Sequence, residues 1–119
     1  MKPVRVQLVG NAAEEFEELN EIVGEEHAAG VHTSERQQLL RSIQQKIELI
    51  KANPQYGNAV PKKLVKRSGY PVDNLWAADL AGYWRMLYTL KGSTVEVLCF
   101  ILEIIDHKRY DKLFGYRKK

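Results

Sequence analysis

The sequence predicts an α+β fold: an N-terminal strand, a two-helix antiparallel hairpin packed on a mainly antiparallel four-stranded sheet, and a short C-terminal helix. Three observations point to it: two helical apolar stripes before residue 54, three strand-like runs between residues 75 and 105, and turn signals that leave no room for crossovers. At 119 residues the chain fits one domain, residues 1–119, able to bury roughly two-thirds of the surface its unfolded form exposes.

Val4, Val6 and Leu8 alternate with Arg5, Gln7 and Val9, the period of a strand with one buried face, and Gly10-Asn11 ends it. Asn11 with Glu14 three residues on resembles a capping box, and Phe16, Leu19 and Val23 recur at helical spacing, so a helix is expected over about 12–23. Glu14, Glu15, Glu17, Glu18 and Glu21 crowd its other side, a solvated face. Ser34 with Gln37 is a second capping signature. Leu39, Leu40, Ile43, Ile47 and Ile50 form the stripe of a second helix, which Pro54 stops by disfavouring helix at Asn53. Each helix needs an apolar surface to cover, and only the sheet supplies one.

Residues 55–74 show no period and are punctuated by Gly57, Pro61, Gly69 and Pro71. The expectation is a long basic loop, in which Leu64 and Val65 anchor while Lys62, Lys63, Lys66 and Arg67 face outward. Strands follow over Leu75–Leu80, Trp84–Lys91 and Thr94–Ile105, joined through Ala81-Gly82 and Gly92-Ser93 as antiparallel hairpins. In the middle strand Trp84, Met86, Tyr88 and Leu90 share the face the helices cover, which leaves Arg85 on the open side with Tyr83, Leu87 and Thr89. A helical tail is expected over about Lys108–Phe114.

Cys99, the only cysteine, lies in an apolar run and reads as a small buried residue, which fits a reducing cytoplasm. No apolar stretch approaches the roughly 20 residues of a membrane span, and the N-terminus lacks a signal-peptide core, so a cytoplasmic chain without a membrane partner is expected. Charge divides along the chain: residues 1–60 carry 6 Lys/Arg against 9 Asp/Glu, residues 61–119 carry 12 against 6. A basic second half suits either a polyanion partner or a surface that merely stays soluble. His27 and His32 lie five apart beside Glu25 and Glu26 with no further His or Cys cluster, so neither a metal nor another cofactor is expected.

The element order, with Asn74-Leu75-Trp76, Asp79-Leu80, Trp84-Arg85-Met86-Leu87-Tyr88-Thr89 and Asp106-His107-Lys108-Arg109-Tyr110-Asp111-Lys112-Leu113-Phe114-Gly115-Tyr116, resembles the RelE/ParE toxin superfamily over essentially the full chain. The segment Pro61-Lys62-Lys63-Leu64 is similar to its archaeal-type branch. The resemblance implies the toxin of a type II toxin–antitoxin pair, held by a cognate antitoxin. RelE-like members cut mRNA on the ribosome, whereas ParE-like members inhibit DNA gyrase; a degenerate, non-catalytic binding module is the third reading.

Metal-independent RNA cleavage uses the 2′-hydroxyl as nucleophile and needs cations for the phosphate, a base and an acid. The resemblance makes Arg85 the clamp on the scissile phosphate; the alternative is an arginine that snorkels from the sheet or pairs with Asp79. His107 is the natural acid or base, since histidine titrates near neutrality, or else it caps the following helix. Tyr110 and Tyr116 serve as acids only if cations act on them, and otherwise pack. Lys62, Lys63, Lys66, Arg67, Lys108 and Arg109 would hold RNA phosphates, or are solvated surface charges. One departure stands out: Trp76 and Ala78 occupy the places where the RelE-like nucleases carry paired lysines.

Overall fold

The structure is a computed structural model that describes residues 2–115. Tyr116, a candidate acid in the sequence, lies outside the described residues. The elements run β1 (Val4–Leu8), α1 (Gly10–Ala28), α2 (Glu35–Ala52), β2 (Asn58–Ala59), α3 (Lys62–Ser68), β3 (Trp76–Asp79), β4 (Trp84–Gly92), β5 (Val97–Asp106) and α4 (His107–Phe114). The α+β class is as expected, but the sheet has five strands, in the order β1-β5-β4-β3-β2. β1 is parallel to β5 and the other neighbours are antiparallel.

The extra strand is β2, where Asn58 and Ala59 pair with Ala77 and Trp76. Two residues are too few to show alternation, so they read as loop. The basic segment is likewise a helix, because seven residues hold less than two full turns and cannot display a period. Its anchoring is as expected: Val65 is buried, Leu64 packs on the core, and Lys62, Lys63, Lys66 and Arg67 are exposed. Gly69 ends it with φ +79, and its N–H donates to the Lys66 carbonyl.

The expected Asn11 cap does not form. Helix α1 starts at Gly10 with Val9 as N-cap and no side-chain bond; Asn11 Nδ2 instead donates to Glu103 Oε2 at 3.1 Å. Glu103 is buried, and a buried carboxylate needs donors more than an exposed helix start needs a cap. Its second donor is the Tyr70 hydroxyl. Burial, then the Glu103 bond, pushes the Tyr70 phenol well above its ordinary range. The Ser34 cap does form, accepting from Gln37 N at 3.1 Å. Ser34 Oγ and Gln37 Nε2 both donate to Glu26 Oε1, lowering the Glu26 pKa and tying the end of α1 to the start of α2.

Alternation divides the core into two apolar layers. On one face of the sheet, Met86, Tyr88, Cys99, Ile101 and Ile104 pack against Leu19 of α1 and Leu39, Leu40, Ile43 and Ile50 of α2. On the other, Leu87 and Ile105 pack with Val65 of α3 and Phe114 of α4. The face expected to be open is therefore half covered, and Arg85 lies at its uncovered end. Between Leu87 and Tyr88 the pairing skips one residue of β5, Leu102; this bulge lets Glu103 join Leu87 and Ile105 on the second face. Thr94 and Val95 sit in a turn closed by Ser93 N to Glu96 O at 2.9 Å, so β5 begins at Val97.

Cys99 is fully buried, and burial pushes its thiol from 9.0 up to about 12. Above pH 9 the unfolded chain loses a proton that the folded chain keeps, so Cys99 favours folding below about pH 9 and that contribution fades toward pH 12. The native protein at pH 8 is expected to resist aromatic disulfide reagents and to react at once in denaturant. Rapid native-state labelling would contradict this burial.

Candidate functional site

Arg85 opens the exposed end of β4, opposite Asp79 of β3 and Ile105 of β5. Its Nε lies 3.2 Å from Asp79 Oδ1, and its guanidinium carbon sits 4.4 Å from the centroid of the Tyr110 ring. The bond to Asp79 is made by Nε rather than by the two terminal nitrogens. The side chain is 35% exposed, against 77% for Asp79. A strand fixes the backbone and an aromatic face steadies the planar head, which is how a guanidinium is held ready for two phosphate oxygens.

Helix α4 supplies the facing wall. Asp106 caps it by accepting from Arg109 N at 2.9 Å, so the cap belongs to Asp106 rather than His107. His107 and Tyr110 are three residues apart and therefore neighbours on one side of the helix. Tyr110 meets Arg85, and the His107 ring meets Tyr83 edge-on with centroids 5.8 Å apart. A cleft of about 400 Å³ runs between Asn58, Ala59, Val60 and Pro61 on one side and Asp79, Arg85, Tyr110 and Asp111 on the other, within the usual range of small-ligand clefts. It holds one cation and two carboxylates, so Asp79 partly neutralises the arginine before any ligand arrives.

The candidate residues do not all converge. Arg85 and Tyr110 line the cleft together, whereas His107, one helical turn before Tyr110 on α4, packs on Tyr83 and is not among the cleft's lining residues. Arg109 stands two residues from His107, about 200° around the helix, and lines a separate cleft with Tyr70, Glu103 and Lys112. Burial, then the Glu18 charge, raises the Glu15 pKa, and the Arg109 charge partly offsets that rise. Lys63, Lys66 and Arg67 line a third recess beside Phe114. The Arg67 guanidinium occupies the place a Cβ on Gly115 would take. Lys62 follows Pro61 on the rim of the Arg85 cleft, and Lys108 is exposed at the start of α4.

Register changes the meaning of Trp76 and Ala78. They pair with Tyr88 and Met86 and pack in the helix-covered layer, on the opposite face of the sheet from Arg85. The β3 positions that share a face with Arg85 are Ala77 and Asp79, and neither supplies a cation. Asp79 stands where the alternative reading of Arg85 put it, as its ion-pair partner; Tyr83 and Asp111 are residues to which the sequence assigned no role at the site. Asp111 was legible, lying four residues after His107 and hence on the same helix side. His27 and His32 pack edge-on at 6.0 Å, and among the described residues no three His, Cys, Asp or Glu side chains converge as metal ligands.

At the level of sequence, neither a protein-family profile nor a curated protein matches the chain. A solved structure described as a YoeB/ParE toxin from Agrobacterium tumefaciens superposes with a TM-score of 0.56 over 90% of this chain and 99% of its own, at 15% identity. The fold is similar to that of this toxin. At this identity the likeness is one of fold, and a YoeB/ParE-type fold leaves the chemistry to be argued from Arg85 and its neighbours. No helix among the described residues is long and apolar enough to cross a membrane.

The Asp79 pair offers a direct test of anion binding. An ion pair this exposed is worth about 0–1 kcal/mol, so a phosphate can displace it. Asp79→Ala frees Arg85 and removes a like charge from the ligand, and is expected to tighten binding of single-stranded RNA by about two- to fivefold at low salt. Weaker binding in a titration would show instead that Asp79 holds Arg85 in its working position.

Proposed function

We propose that this chain is the toxin of a type II toxin–antitoxin pair, similar to the archaeal-type RelE branch, and that it cuts ribosome-bound mRNA at the Arg85 cleft in the cytoplasm. The observation that carries this reading is the grouping of Arg85, Tyr110 and His107 at one end of the sheet, the arginine held by a ring at 4.4 Å. The nucleophile is the ribose 2′-hydroxyl. It attacks its own phosphorus, the bond to the 5′-oxygen breaks, and a 2′,3′-cyclic phosphate forms. Arg85 neutralises the non-bridging oxygens, where charge accumulates. His107 takes the proton from the 2′-oxygen or gives one to the departing 5′-oxygen, water carrying the other of the two protons, and Tyr110 holds the guanidinium in place. Lys62 and Lys108 draw in the flanking backbone, with Lys63, Lys66, Arg67 and Arg109 spread over adjoining surfaces. A cognate antitoxin would cover this end of the molecule.

A second reading, binding without cleavage, is favoured by Ala77 and Asp79, which leave the strand beside Arg85 without a proton-transferring cation. Controlled expression separates the readings. Cleavage of mRNA halts amino-acid incorporation while DNA synthesis continues at first. DNA damage with translation intact would assign gyrase as the target, and unaltered growth would leave a binding module.

A further inference from the structure

Tyr83 is misplaced by every local rule. Gly82 and Tyr83 have φ of +67 and +64, and the Trp84 N–H closes on the Ala81 carbonyl. Two successive positive φ angles mark a primed hairpin turn, whose central positions normally go to Gly, Asn or Asp. Among the described residues Tyr83 is the one non-glycine with positive φ. The residue is 81% exposed and belongs to neither apolar layer. The fold therefore gains nothing from an aromatic there and bears the strain of one. Strain kept in an exposed turn that leads into the arginine strand is what a functional demand leaves behind.

The ring's surroundings indicate that demand. The His107 imidazole packs against it edge-on, at an interplanar angle of 66°, which braces the ring while leaving most of it open. Arg85 is two residues further along the same chain. An exposed, braced aromatic two residues from an arginine matches how unpaired nucleotides are held, with a base stacked on a ring and its phosphate on a cation. We propose that Tyr83 is a stacking platform for an unpaired RNA base, adjoining the phosphate held by Arg85. This rests on the RNA reading of the Arg85 cleft. Stacking selects for an unstacked base rather than for its identity, so the platform favours single-stranded RNA of any sequence.

The test is fluorescence anisotropy with the full chain and two labelled probes of equal length. One is a single-stranded 2′-O-methyl oligoribonucleotide, which cannot be cut; the other is the same backbone with every base removed. The wild type is expected to prefer the base-bearing probe. Tyr83→Gly, which relieves the strained φ, is expected to lose about tenfold in affinity for that probe, to bind the abasic one as before, and to unfold at the wild-type temperature or higher. Tyr83→Phe should bind as the wild type does. Undiminished binding of the base-bearing probe by Tyr83→Gly would overturn the platform while leaving RNA binding at Arg85 intact. So would a marked fall in its unfolding temperature, which would make the ring structural. Undiminished RNA binding with weakened binding of a protein partner would assign the ring to that partner and equally overturn it. A wild type that binds neither probe would remove the RNA reading and the platform with it.

Discussion

Arg85→Ala is expected to lower RNA cleavage by roughly 10²–10³-fold, the usual effect of deleting one preorganised donor from a developing oxyanion. The geometry limits what else the change can do. The bond to Asp79 is exposed, so its loss costs about 0–1 kcal/mol, and the contact with Tyr110 adds about 0.5–1 kcal/mol. A variant that stays folded and loses activity would locate the defect in phosphate binding. Arg85→Lys keeps the charge but not the planar fork, and is expected to fall between. Toxicity and cleavage at wild-type levels in Arg85→Ala would remove this residue from the mechanism.

Gly57→Ala is expected to destabilise the fold by about 2–3 kcal/mol. A Cβ at Gly57 would stand 2.7 Å from the Ala77 carbonyl oxygen and 2.8 Å from the Tyr88 hydroxyl. The first is strand backbone, so relief means pulling β2 away from β3. The second is a relay: Gly57 N–H donates to Tyr88 Oη at 2.9 Å, and that hydroxyl donates to the Pro54 carbonyl at 3.0 Å. Displacing it leaves polar groups beside a fully buried ring without partners. Because Asn58 and Ala59 form one wall of the Arg85 cleft, activity should fall with stability. Thermal unfolding checks the magnitude, about 8–12 °C for a chain of this size; a change within about 0.5 kcal/mol would mean that β2 is free to move.

How far the sequence foretold this site depends on length and register. Arg85 is legible because successive strand side chains point to opposite faces, so assigning Trp84, Met86 and Tyr88 to the helix-covered layer puts it on the other, even though burial along β4 does not itself alternate. The partner strand is harder. A one-residue offset in a strand exchanges its faces, and only pairing shows that Ala77 and Asp79, rather than Trp76 and Ala78, lie beside the arginine. β2 and α3 are too short to carry a period. Asn11 carries a true capping pattern, overridden by the buried Glu103 ninety-two positions away, a demand invisible to local reading. The lone Glu103 within an apolar run was itself a visible signal of a buried polar network. Tyr83 carried a signal too, a bulky residue directly after the turn glycine, but the strain appears only in its φ of +64.

Cleavage itself is decided by the ends it leaves. Primer extension on mRNA, taken minutes after induction of the wild type and of Arg85→Ala, is the most direct measurement. New 5′ ends within translated regions, present with the wild type and missing with the variant, are the expected result. An unchanged pattern of ends under a wild type that still arrests growth would contradict the assignment of this cleft as a ribonuclease.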